Sequence, residues 1–228
     1  MTSFDWNKEA TEQWDNRAAF WNERSQNMWE NGSRSEIIPF INNYFQTGGY
    51  VLDIGCGDGY GTYKLYEQKY QAVGLDISAN MINYARAEHP SSIEFLQGNV
   101  NQLPFKKETF DGVMAINSLE WTENPKHAIK EIKRVVKQGG WLCIGILGPT
   151  AGPRINSYPR LHMEKAICNT MMPWEFEKLC EEMNLSCTDG FGVYKQGVTK
   201  ENYAHLTTEL KQALSFSWIF MLKKAGES

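Results

Sequence analysis

From residue 50 onward, short apolar runs alternate with segments of helical period. Val51–Ile54, Gln71–Asp76, Ile93–Gln97, Phe110–Ile116 and Trp141–Leu147 are nearly continuous in apolar residues. Such runs suit strands buried on both faces of a parallel sheet. Helices are expected between them. Ser78 is placed to cap one carrying Met81, Ile82 and Ala85. Asn124-Pro125 starts another, with Ala128, Ile129, Ile132, Val135 and Val136 along one face and Gly139-Gly140 as its expected stop. Pro173 opens a third, with Phe176, Leu179, Cys180 and Met183 in register. Strands alternating with helices predict a doubly wound α/β sheet. Leu185–Tyr194 and Ser215–Leu222 read as two further strands, best accommodated as an edge hairpin.

The ends of this pattern differ from its middle. Residues 1–31 read as helix, and Trp6, Trp14, Trp21 and Trp29 recur at spacings of 8, 7 and 8, close to one helical face. That face is expected to pack on the main body and to lid a ligand cleft. Residues 148–172 are rich in Pro, Gly and polar side chains without a clear period, as expected of a functional loop. The chain thus divides into an N-terminal helical lid (1–45) and one α/β domain (46–228), with 148–172 as a variable insertion.

Composition narrows the class. A net charge of −4 gives no electrostatic reason to expect a nucleic-acid partner. No run approaches the roughly 18–20 apolar residues that span a bilayer, and the acidic N-terminal segment lacks a secretory core. Five cysteines without a Cys-x-x-Cys pair favour reduced thiols, no metal site and a cytoplasmic location.

The chemistry concentrates in Val51-Leu-Asp-Ile-Gly-Cys-Gly-Asp-Gly-Tyr-Gly61. A strand that runs into alternating glycines lets a ligand press against backbone amides. The dinucleotide pattern Gly-x-Gly-x-x-Gly fails at Tyr60, and no Gly-Lys-Ser/Thr follows for a phosphate loop. A nicotinamide oxidoreductase is therefore disfavoured. Asp76 closes the next strand 23 residues after Asp53, near the spacing at which a strand-end acid meets ribose hydroxyls.

Asp53-Ile-Gly-Cys-Gly-Asp-Gly59 resembles the first motif of the class I S-adenosylmethionine-dependent methyltransferases, and Gly74-Leu-Asp76-Ile-Ser78 resembles their second. Gly98-Asn-Val100, Leu103-Pro-Phe105 through Asp111, and Arg134 through Trp141 are similar to later regions. The resemblance spans residues 50 to about 148 and extends to relatives in quinone biosynthesis. It implies a Rossmann-like, seven-stranded, mostly parallel sheet with an antiparallel edge hairpin, and S-adenosyl-L-methionine as cofactor. It further implies that Gly55, Cys56 and Gly57 approach the methionine part, Asp53 helps fix its amino group and Asp76 binds the ribose. Ile77, Asn99 and Val100 would meet adenine. The family often carries Asp where Asn99 stands; an amide oxygen can still accept there. Asn117 is placed for contacts to the cofactor's amino group, and Arg34, at the start of the helix before the core, to pair with its carboxylate.

Methyl transfer from a sulfonium needs alignment and exclusion of water more than a dedicated base. The catalytic group is accordingly left open, with His162, Tyr158, Glu120 and His127 as candidates and Trp121 as an apolar acceptor wall. Asn117-Ser-Leu-Glu120 replaces the Asn-Pro-Pro-Tyr type of sequence used on nucleic-acid amines, and neither a Pro-Cys nucleophile nor a carboxylate cluster for magnesium is present. The expected partner is a small-molecule methyl acceptor of unspecified identity. The alternative is a pseudoenzyme or sensor that binds the cofactor without transfer. The oligomeric state stays open.

Overall fold

The computed structural model describes residues 4–226; the first three residues of the expected N-terminal helix lie outside them. The chain begins with α1 (Trp6–Glu30), capped by Asp5, followed by α2 (Ile37–Asn42). Then come β1 (Tyr50–Ile54), α3 (Tyr60–Glu67), β2 (Gln71–Asp76), α4 (Ala79–Glu88), β3 (Glu94–Gln97) and β4 (Phe110–Ile116). After a 3₁₀ turn at Leu119–Trp121 follow α5 (Pro125–Val135) and β5 (Val136–Leu147). A long 3₁₀ helix (Gly152–His162) leads to α6 (Pro173–Glu182) and β6 (Leu185–Val193). Two short helices, α7 (Lys200–Tyr203) and α8 (Thr208–Leu214), precede β7 (Ser217–Lys224).

The seven strands form one sheet in the order β3-β2-β1-β4-β5-β7-β6. All neighbours from β3 to β5 are parallel, whereas β7 runs antiparallel to both β5 and β6. This is the doubly wound, mostly parallel sheet with a reversed edge that the pattern predicts. Alternation along the strands divides the core between the two faces. Leu52, Val113, Leu142 and Ile144 pack with Ile129 and Ile132 of α5 and Phe176 of α6. Val51, Met114 and Cys143 pack with Ile37, Ile38 and Ile41 of α2 and Leu65 of α3. The helix α2 is thus part of the layer covering the sheet, while α1 crosses the sheet's carboxyl edge.

Two helix starts follow the expected chemistry. Ser78 Oγ accepts from Met81 N (3.1 Å), and Asn124 Oδ1 accepts from His127 N (3.0 Å) ahead of Pro125. The expected stop of α5 does not hold. The helix ends at Val135, and Val136 is already extended (φ −81°, ψ 136°) and paired with Phe110. Residues 137–140 bulge before Trp141 meets Gly112, and Gly139 turns the bulge at φ +72°. Lys137 Nζ holds it to Asp111 Oδ1 (2.6 Å). The two glycines therefore shape a strand bulge rather than a helix end.

Candidate functional site

The carboxyl ends of β1, β2 and β4 open into one cavity of about 1260 Å³, its open mouth included, roofed by α1. Gly55, Gly57 and Gly59 leave β1 at φ +70°, +57° and +83°, which glycine adopts without a Cβ clash. A Cβ on Gly57 would meet nothing closer than Met81 Sδ at 3.9 Å, so this backbone faces open cavity. Gly61 serves packing instead: a Cβ there would lie 2.4 Å from the Trp29 indole, which seats the end of α1 on α3.

The carboxylate of Asp76 is held by the loops on either side of it. Oδ2 accepts from Gly57 N and Oδ1 from Ser78 N, both at 2.9 Å. Burial raises its pKa, and the amides of Ser78, Gly57 and Ile77 oppose that rise. Each oxygen retains a second lone pair at the cavity wall.

Nine of the ten residues expected to bind cofactor line the cavity: Arg34, Gly55, Cys56, Gly57, Asp76, Ile77, Asn99, Val100 and Asn117. Asp53 does not. It is buried behind the loop, where Thr62 Oγ1 donates to its Oδ2 (2.7 Å). Desolvation pushes its pKa to about 7 against the pull of Thr62 and Arg34. Burial likewise pushes the Cys56 thiol well up, making it a poor nucleophile. Arg34 occupies the turn between α1 and α2 rather than a helix start. Its guanidinium lies 5.4 Å from the Trp29 ring, and its side chain makes no hydrogen bond or ion pair among the described residues. Desolvation lowers its pKa, while Asp58 and Asp53 oppose that shift.

Asn99 and Asn117 are both fixed by neighbours. Asn99 Nδ2 donates to Asn7 Oδ1 of α1 (2.8 Å), and Asn99 Oδ1 accepts from Asn101 N (2.9 Å). Asn117 sits at φ +53°, a left-handed conformation that Asn tolerates better than most residues. Its carbonyl accepts from Trp121 Nε1 and its Oδ1 from Ser217 Oγ, each at 2.8 Å.

Trp21 lines the cavity as expected of the α1 tryptophan face, whereas Ser25, Asp58, Asn101 and Ser118 line it without having been expected there. Ser25 of α1 donates to Asp58 Oδ1 (2.8 Å), and both side chains are buried. Ser118 Oγ, Asn101 Oδ1 and Trp21 Nε1 are buried without a hydrogen-bond partner among the described residues, and all three residues line the cavity. The uneven polar decoration of α1 was a usable signal for Ser25; nothing local marked Asn101 or Ser118.

The far end of the cavity is apolar. Trp14, Trp121, Leu147, Pro153 and Phe216 form its wall, with Trp14 edge-on to Trp121 at 5.1 Å. None of the candidate bases lines it. Tyr158 and His162 pair with each other on the surface, and Tyr158 is 52% exposed. His127 is exposed on α5, where its Nε2 contacts Asn101 O at 2.9 Å. Glu120 is wholly buried beneath the wall: one oxygen accepts from Leu147 N and the other is unpartnered. Burial pushes its pKa to about 7, while the Leu147 amide and nearby Arg154 pull it down. Among the described residues no acid, histidine and cysteine cluster could hold a metal ion, and no helix is long and apolar enough to cross a membrane.

Residues 52–144 match the Methyltransferase domain family. The chain is 31% identical over 185 residues to the biotin biosynthesis bifunctional protein BioHC of Teredinibacter turnerae, covering 72% of this chain and 32% of that one. It is 42% identical over 112 residues to the demethylmenaquinone methyltransferase of Lactococcus lactis, covering 46% and 44%. It therefore spans less than half the length of these curated relatives. Among solved structures, the methyltransferase in complex with the Trm112 activator from Haloferax volcanii superposes at a TM-score of 0.72. The identity there is 18%, over 96% of this chain and 98% of that one. Residues 52–144 thus carry the match to a methyltransferase domain, and the fold is the one seen in solved S-adenosylmethionine-dependent methyltransferases.

Proposed function

We propose that this chain binds S-adenosylmethionine along the β1 turn and directs its methyl group to a small, apolar, planar acceptor. The observation that carries this reading is the division of one cavity into two chemistries. At one end stand the open lone pairs of Asp76 and the unpartnered guanidinium of Arg34; at the other stands an aromatic wall without a titratable side chain.

The residues present suit the cofactor. The two carboxylate oxygens of Asp76 can each accept from one ribose hydroxyl while keeping their amide donors. Arg34 matches an amino-acid carboxylate. Ile77, Val100 and Met81 offer apolar faces to adenine, and Asn101 Oδ1 is an acceptor in want of a donor such as its exocyclic amine. When bound, S-adenosylmethionine supplies an electrophilic methyl group on a sulfonium leaving group. The chain's own part is alignment and dryness: α1 and Pro153 cover the cavity, and the contacting rings of Trp14 and Trp121 form a wall against which a flat acceptor can lie. With no base in the wall, the acceptor atom has to be nucleophilic in its bound form or lose its proton to solvent. The likeness over 112 residues to a demethylmenaquinone methyltransferase supports a quinone-type acceptor. The free cysteines fit a cytoplasmic setting.

Calorimetry with S-adenosylmethionine and S-adenosylhomocysteine tests the binding half, and both are expected to give heat. Release of S-adenosylhomocysteine across a panel of phenols, quinols and aliphatic acceptors tests the transfer half. Heat without release from any acceptor would favour a binding protein that does not transfer.

A further inference from the structure

The 3₁₀ helix at Gly152–His162 is amphipathic in the inverted sense. In a helix with three residues per turn, positions three apart lie above one another. Arg154 and Ser157 face the body: Ser157 is buried, and the Arg154 guanidinium donates to the carbonyls of Leu147, Gly148, Thr170 and Met171. The next row, Ile155, Tyr158 and Leu161, stands 69%, 52% and 65% exposed, and Met163 just beyond is 95% exposed. Four large apolar side chains within nine residues are thus held outward by a polar inner face. Asn156 Oδ1 also accepts from Arg17 of α1 (3.0 Å), and Pro153 belongs to the cavity wall, so the row begins at the cavity rim.

We propose that this row is a docking surface for the interfacial zone of an anionic lipid bilayer. The charges select that occupant. Arg160 and Lys165 are exposed beside the row, with Glu164 the single acid between 152 and 165, although the whole chain is net negative at −4. Apolar side chains projecting from a rigid element among basic ones match the layered chemistry of acyl chains beneath anionic headgroups. A symmetric contact between two copies through the same row would instead bring like charges together. Docked this way, the cavity rim lies at the lipid surface, from which an apolar ligand would enter.

Co-sedimentation of the full chain with vesicles tests this, using phosphatidylcholine alone and phosphatidylcholine mixed with phosphatidylglycerol. The chain is expected to pellet with the anionic vesicles, less with neutral ones, and less as salt rises. I155S/L161S should lower the partition coefficient about tenfold, and R160E/K165E should abolish the preference for phosphatidylglycerol. I155S/L161S removes no hydrogen bond, so an unchanged thermal midpoint is expected; R160E/K165E also gives up the bonds from Arg160 Nη1 to Ser157 O and Oγ, so K165E alone is run beside it and should weaken the preference in the same direction. Wild type left in the supernatant of both vesicle types overturns the proposal. So does I155S/L161S binding like wild type, or a concentration-dependent dimer that I155S/L161S dissolves. A failure here leaves the methyl-transfer reading standing; absent cofactor heat would sink that reading and leave this one intact.

Discussion

The two ends of the cavity are built by different means. The polar end consists of turns that leave parallel strands, so the sheet fixes their position and backbone amides supply much of the chemistry, as at Asp76. The apolar end is assembled from segments far apart in sequence: α1, the turn after β4, and residues 147–153 with Phe216. Those segments are held by side-chain anchors, with Arg154 on four carbonyls and Asn169 Nδ2 on the carbonyls of Leu119 and Thr122. A site that must hold one unchanging ligand and one family-specific ligand gains from this split. The first can rest on the sheet, while the second can vary by loop replacement without disturbing strand order.

If the two ends are separable, substitutions should affect one and spare the other. The largest effect is expected from Asp76→Ala, which should weaken S-adenosylhomocysteine binding by about 1–3 kcal/mol in calorimetry; unchanged affinity would place the ribose elsewhere. Trp14→Ala should reduce turnover roughly tenfold while leaving that affinity within about threefold. Equal losses in both would erase the division. Ser25→Ala removes the buried bond to Asp58 and should cost about 1 kcal/mol of α1 docking, read as faster amide exchange along α1 with exchange in β4 unchanged. A further effect, on stability and outside both ends of the cavity, concerns pH. The buried Glu120 has a native pKa of about 7 against an ordinary 4.5, so the fold binds its proton more tightly than the unfolded chain does. Its contribution to stability is whole below about pH 4.5 and drains away as pH rises to about 7. Glu120→Gln keeps the acceptor for Leu147 N without the ionisation, and should raise the thermal midpoint by about 5–10 °C at pH 8 with little change at pH 4.5. An equal shift at both values would show that charge is not the cause.

The same division decided what could be read from the sequence. The strand runs, the Ser78 and Asn124 caps and the glycine turn are local signals, and local geometry obeyed them. Nine of ten expected cofactor contacts reached the cavity because strand ends bring them there. Asp53 departed because successive strand residues point to opposite faces, and Thr62 of α3 takes the carboxylate behind the loop. Gly139-Gly140 resembled a helix stop, but pairing of Val136 with Phe110 overrode it. The short helices α7 and α8 bury little and left no periodic trace. Tyr158 and His162 fell outside the site because a 3₁₀ row, not an irregular loop, determines where residues 152–162 point.

The reversed edge of the sheet carries a consequence for how the molecule assembles. Among the described residues the only neighbour of β6 is β7, which comes later in the chain and fills the slot beside β5. Until that slot is taken, β6 has no ladder to join and its amides stay bound to water. Pulse-labelled exchange during refolding should therefore find the two strands gaining protection together, after β1 and β4, so that one corner of the protein is completed as a single late event.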